Sequence, residues 1–307
     1  MVASAVARET VFALRREIAR IEGTFPETLE LPADAAGDDQ VLLRRGGRAV
    51  GSDLFPIGSP KLDEALGGGL PKAALTEIHG RQTRDAGSVA GFALGLAVKA
   101  LKLRQGAPVL WIVEGTVLTE AGQPYAPGLL YRFGMPPEAL VVADVRRMED
   151  ALWVAEEAAA LDGFAAVLLE MRGHSKRLDL TATRRLHRRA QAAGRPFFLL
   201  RQAGEPEPTA APVRLVVTPA PARERYILSR PMEGSIGPPA FCVTIGRSRT
   251  AIPATAVLEW NRDECAFDER THNAERAPDV GAVVSLSGHG PHPARPAGTA
   301  LASAKVA

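Results

Sequence analysis

The chain has 307 residues, 46% hydrophobic, 23% charged and 5% aromatic, which excludes a collagen-like protein and suits one large domain or two small ones. Two cysteines are too few for a disulfide framework, and the longest near-continuous apolar stretch, 91–98, is well short of the ~20 residues of a membrane span. A cytoplasmic protein in a reducing compartment, with no membrane partner, is expected.

The 37 basic and 35 acidic residues nearly cancel. Their distribution is less even. Nine basic residues lie between Arg172 and Arg201 with Asp179 as the one acid, so that segment carries +8 and the remainder −6. Such asymmetry suits an anionic partner or a solvated helix face.

In chain order, residues 1–24 hold an amphipathic helix in which Val11, Leu14, Ile18 and Ile21 recur at helical spacing. Residues 25–52 form a linker whose Val41-Leu42-Leu43 run suits one edge strand. The helix is thereby tethered outside the main body, and its apolar stripe must cover its own core or a neighbouring chain.

From residue 53 the pattern alternates. Strands are predicted at 74–79, 109–114, 140–144, 165–170 and 196–200, and helices at 89–102, 148–161 and 181–193. This spacing means right-handed βαβ units: an α/β fold with a mainly parallel sheet flanked by helices. Residues 202–221 are proline-rich and read as a long loop, while 226–228, 240–245 and 256–260 alternate like antiparallel strands. The expected organisation is a core over 53–202, a completing segment over 203–267 and a disordered tail over 268–307.

Ligands of open α/β sheets bind at the carboxyl ends of the parallel strands. After the first core strand comes Gly80-Arg81-Gln82-Thr83-Arg84-Asp85-Ala86-Gly87-Ser88 and then a helix, the context of a phosphate-binding loop. A working loop reads G-x-x-x-x-G-K-[ST], with backbone amides cradling phosphate and lysine reaching its outer oxygens. Here Gly80 and Gly87 are separated by six residues, no Gly-Lys pair occurs, and Asp85 adds a negative charge. Ser88 keeps the hydroxyl position or caps the helix that follows.

The helix at 181–193 gathers Arg184, Arg185, Arg188 and Arg189 within one arc of ~140°, opposite Leu186, Ala190 and Ala193. That basic face is the nucleic-acid candidate. His289 and His292 share the tail, but no HExxH or CxxC spacing exists, so no metal is expected.

The run Ile57-Gly58-Ser59-Pro60-Lys61-Leu62-Asp63-Glu64-Ala65-Leu66-Gly67-Gly68-Gly69-Leu70-Pro71-Lys72, followed by Glu77-Ile78-His79-Gly80, resembles the approach to the phosphate loop in the RecA recombinase core. Weaker similarity covers most of 53–202. The resemblance implies a RecA-like core. It sets Glu114 where the family keeps a water-activating glutamate, and Glu170 where a magnesium-associated aspartate ends a buried strand. Each also has a structural reading, Glu114 as a strand-end acid and Glu170 as a carboxylate one methylene too long for a magnesium-bound water.

Within that superfamily the leading helix, the degenerate loop and the C-terminal strands ending in Trp260 resemble the ImuA family, bacterial accessory proteins of damage-inducible mutagenesis. That resemblance implies SOS-induced translesion DNA synthesis beside an inactive Y-family polymerase relative and an error-prone replicative-type polymerase. It also implies that Val11, Leu14, Ile18 and Ile21 dock on a like subunit, a RecA-like subunit or the mutagenesis complex. No cofactor is expected, since ATP and magnesium lack their lysine. Two further readings stay open: a DNA-dependent ATPase with Arg81 or Arg84 replacing lysine, and a module that binds single-stranded DNA weakly through its basic face.

Overall fold

The computed structural model describes residues 54–270 except 205, 229 and 249–252. The leading helix with Val11, Leu14, Ile18 and Ile21, the linker, and the tail with His289 and His292 lie outside the described residues.

The described chain opens with β1 (Leu54–Phe55) and α1 (Pro60–Ala65), and β2 (Leu70–Pro71) returns antiparallel to β1. α1 starts at Ser59, whose Oγ accepts the Leu62 amide at 3.1 Å, with Pro60 preset in the first turn. The Asp63 carboxylate accepts the amides of Ile57 and Gly58 at 2.7 and 2.9 Å. Gly58 has φ +110°, and a Cβ there would lie 2.6 Å from the Phe267 carbonyl oxygen, so only glycine fits. The 57–72 run is thus a capped turn of helix pressed against the last described strand, at Phe267 and Glu269. Ser59 Oγ donates to Glu269 Oε2 there, at 2.6 Å.

Next come β3 (Leu75–Gly80), α2 (Ala86–Leu103), β4 (Val109–Glu114), α3 (Gly115–Ala121), β5 (Leu140–Val145), α4 (Met148–Ala160), β6 (Ala166–Arg172), α5 (Leu180–Ala193), β7 (Phe197–Gln202) and β8 (Val213–Pro219). A separate hairpin, β9 (Arg225–Ile227) with β10 (Arg230–Met232), precedes β11 (Ala240–Ser248), β12 (Thr255–Asn261) and β13 (Ala266–Glu269). The main sheet has nine strands in the order β13-β12-β11-β8-β3-β7-β6-β4-β5. β8, β3, β7, β6, β4 and β5 run parallel, and the three C-terminal strands extend the sheet antiparallel from β8. The fold is therefore α/β, a mostly parallel mixed sheet flanked by helices.

Strands such as β6 and β7 are continuous apolar runs because both faces are covered. On one face α2 packs Val89, Phe92, Leu96 and Ala97 against Ile78, Leu168, Phe198, Leu200 and Leu215. On the other, Ala151, Leu152 and Ala155 of α4 and Leu186 and Ala190 of α5 cover Leu75, Ile112, Val167, Leu169 and Leu199. Thr83–Leu103 is long and apolar enough to cross a membrane by length and composition alone. Its apolar character follows from the core positions of α2, closed further by the rings of Phe241, Trp260 and Phe267.

Two expectations are corrected. The supposed loop at 202–221 contains β8, which lies parallel beside β3 with Thr76 opposite Val213. Its prolines stand before the strand, at its last residue and beyond it, where no inner ladder bond is lost. The supposed tail from 268 begins too early, because Asp268 and Glu269 belong to β13 and the Arg270 amide donates to the Val257 carbonyl at 2.8 Å.

Candidate functional site at the carboxyl edge of the sheet

β3 delivers Gly80 to the carboxyl edge between β7 and β8. Thr83–Asp85 then form one 3-10 turn, and α2 begins at Ala86. Gly87 and Ser88 therefore sit inside the first turn of α2, so Ser88 does not cap it; Asp85 holds the N-cap position, with its side chain turned to the preceding loop. Asp85 is buried. Its carboxylate accepts the Gln82 amide at 3.0 Å, while its own amide donates to the Gln82 carbonyl at 3.0 Å. Its Cβ lies 3.1 Å from where a Cβ on Gly80 would stand. The chain's own anion thus closes the loop over the glycine, where a phosphate-binding loop presents free amides. Arg81 and Arg84 are both exposed at this turn. A buried carboxylate without lysine does not fit a triphosphate or its magnesium.

Glu170 faces the α2 side of β6 and is 3% exposed. Burial pushes its carboxyl up to about 7, against the opposing effect of hydrogen bonds from Trp111 Nε1 at 2.8 Å and the Gln202 side-chain amide. Each oxygen is therefore taken by a donor from a neighbouring strand, so the group clips β4, β6 and β7 together. Glu114 ends β4, half-buried, and its carboxylate accepts the Thr116 hydroxyl at the start of α3. Glu114, Glu170, Gly80, Gly87 and Ser88 come to the same edge of the sheet. Among the described residues, no three His, Cys, Asp or Glu side chains are grouped to hold a metal ion.

The opposite face of the same edge holds a polar cluster that the sequence reading missed. Glu77 and His79 of β3 are fully buried, with His79 Nδ1 3.8 Å from Glu77 Oε1. Arg214 of β8 stands 2.9 Å from Glu77 Oε2, Thr209 donates to that oxygen at 2.8 Å, and Arg201 of β7 lies 3.7 Å from Oε1. Burial pushes the Glu77 carboxyl up, but the adjoining His79, Arg214 and Thr209 together hold it below its ordinary value. Glu207, in the segment before β8, pairs with Arg201 and with His174 in the segment after β6. The cluster thereby ties both segments to the sheet. Its one sequence signal was Glu77 and His79 at alternate positions of a strand buried on both faces, where each needs a partner.

The basic segment 172–201 does not form one surface. Arg195 and Arg201 are buried, and Arg172, Arg177 and Arg185 pair with Glu120, Glu149 and Glu156, acids from outside the segment. On α5, Arg184, Arg185, Arg188 and Arg189 are all exposed while Ala182, Leu186 and Ala190 are buried. Among the described residues, Arg184, Arg188 and Arg189 have no acid within ion-pair distance, so they are the free basic part of that face.

A cleft of about 410 Å3 opens beside the first turns of α2, lined chiefly by Gly91, Leu94, Trp111, Leu129, Phe133 and Phe241, with Tyr125 and Arg132 at its rim. The helical segment behind it, Gly115–Ala121 and the turns through Phe133, falls in a stretch whose glycines and prolines concealed its helices. No protein-family model matches the chain, and no curated protein matches it.

Proposed function

We propose that the protein is a non-hydrolysing, RecA-like accessory protein of the ImuA type, acting in SOS-induced mutagenic translesion DNA synthesis through protein–protein contacts. Its partners on this reading are an inactive Y-family polymerase relative and an error-prone replicative-type polymerase. Support comes from the 57–72 run, from the strand–loop–helix unit at the middle of a parallel sheet, and above all from the loop at Gly80. Asp85 closed onto the Gln82 amide is the observation that carries the absence of turnover. Glu114 and Glu170 are spoken for by Thr116, Trp111 and Gln202, so no step of hydrolysis is assigned to them.

The test has two arms. Purified protein should hydrolyse no ATP above background, with or without single-stranded DNA. It should also co-purify with the polymerase-like partner, and Leu14→Asp with Ile18→Asp should abolish that capture without lowering the thermal midpoint. ATP turnover that disappears in Glu114→Gln would establish the ATPase reading instead. Capture that survives the double substitution would remove the leading helix from the interface.

A further inference from the structure

Two features play no part in that reading. The first is the β9–β10 hairpin, a finger outside the main sheet. Its strands pair Tyr226 with Pro231 and Arg225 with Met232, and all six of their residues are exposed. The root is stiff. The Gly237 amide donates to the Arg223 carbonyl at 2.8 Å, Arg225 N donates to Ser235 Oγ at 2.8 Å, and Arg225 Nε donates to the Ile236 carbonyl at 2.9 Å. A Cβ on Gly237 would lie 2.2 Å from the Arg223 oxygen, so the root closes only with glycine.

Onto this hydrogen-bonded base the chain places a group of exposed apolar side chains, Tyr226 at 66%, Leu228 at 93% and Ile236 at 71%, beside Ile227 and Met232. Leu228 also takes φ +48°, a left-handed conformation that a turn normally gives to glycine or asparagine. Two local rules are broken at one tip, and a two-stranded hairpin is marginal in water without something to pack against.

The second feature is the open apolar cleft beside α2, whose wall at Pro239 and Phe241 follows the finger root by two to four residues. The finger does not fill this cleft in its own chain, since its apolar residues are exposed. Its charge does not suit a polyanion. Arg223 lies 3.8 Å from Glu259, Arg225 is engaged by its own root, and Glu224 and Glu233 offset much of the rest.

We propose that the finger of one copy seats in the cleft of a second copy of this chain. The knob and the hole are both apolar, and the finger root runs straight into the cleft wall at Pro239 and Phe241, which suits a two-fold axis that sets each finger over the other's cleft. That is the self-complementary arrangement of a closed dimer.

The test uses the full chain in sedimentation equilibrium. Tyr226→Glu with Leu228→Glu, on the exposed tip, and Tyr125→Glu with Arg132→Glu, on the cleft rim, should each raise the dimer dissociation constant by about a hundredfold or more with the thermal midpoint unchanged. In a mixture of heavy- and light-isotope chains, a photoreactive benzoyl-phenylalanine in place of Leu228 should cross-link to 87–94, 124–133 or 239–241 of the other isotope. A wild-type chain that stays monomeric at about 100 μM, variants that leave the dissociation constant unchanged, or cross-links confined to one isotope would each overturn the proposal. So would cross-links to 1–53.

Discussion

Glu170 and Glu77 are both buried carboxyls in central strands, and their surroundings push them in opposite directions. Glu170 has two neutral donors and no countercharge, so burial wins and the proton is held up to about 7, against an ordinary value of 4.5. Below 4.5 both folded and unfolded chains carry that proton. Between 4.5 and 7 only the folded chain does, so its contribution is lost as pH rises through that window, by at most about 3 kcal/mol. Glu170→Gln should abolish that fall in urea denaturation at stepped pH, and an unchanged slope would refute the assignment. Glu77 has cationic Arg214 at 2.9 Å, and its carboxyl is held down. Its contribution is present above the ordinary carboxylate range and lost on acidification. Glu77→Gln leaves Arg214 buried without its countercharge, while Arg201 keeps Glu207, and should cost about 3–5 kcal/mol at pH 7. The gap from wild type should narrow as the pH falls below 4.5, read from the same urea curves.

Among the elements, α5 divides its arginines between structure and solvent. Arg185 Nε is held by Glu156 of α4 at 2.8 Å, and a substitution there would disturb helix packing as well as charge. Arg184→Glu, Arg188→Glu and Arg189→Glu together are therefore the cleaner probe of nucleic-acid contact. If the face touches single strands, the triple variant should flatten the log–log salt slope of DNA binding by about 2, at roughly 0.7 per phosphate. An unchanged slope and affinity would leave the face a solubilising surface. Such periodic helices were legible in the sequence, as was β4, because each alternates or runs apolar over its whole length. β8 was not, since Val213–Pro219 sits among prolines and its partner β3 lies more than a hundred residues away. The Gly80 loop was legible as degenerate from its missing lysine and glycine spacing. Its closure by Asp85 was not, because that depends on a 3-10 turn which spacing does not reveal. The Arg172–Arg201 charge run misled for a related reason: the acids that balance it come from α3 and α4 and are remote in sequence.

For the whole molecule, the start of α1 and the last described strand, β13, are joined by the bond from Ser59 Oγ to Glu269 Oε2, across 210 residues of chain. Ser59 also caps α1, so Ser59→Ala should cost about 1–2 kcal/mol. A double-mutant cycle with Glu269→Ala should show coupling of about 1 kcal/mol, and simple additivity would show the link to be incidental. The sheet order carries a consequence for the chain while it is still being made. β3 pairs with β7 and β8, neither of which has been synthesised when Gly80 emerges. At about 5–20 residues per second the strand waits roughly ten seconds for its first neighbour. An uninterrupted aliphatic strand with both edges open for that long would seed pairing between nascent chains. Leu-Thr-Glu-Ile-His carries an acid and an imidazole on one face, and the acid has no cationic partner until Arg201 and Arg214 arrive. The same carboxylate that must be paired in the finished core keeps the unfinished one apart from its neighbours on the ribosome.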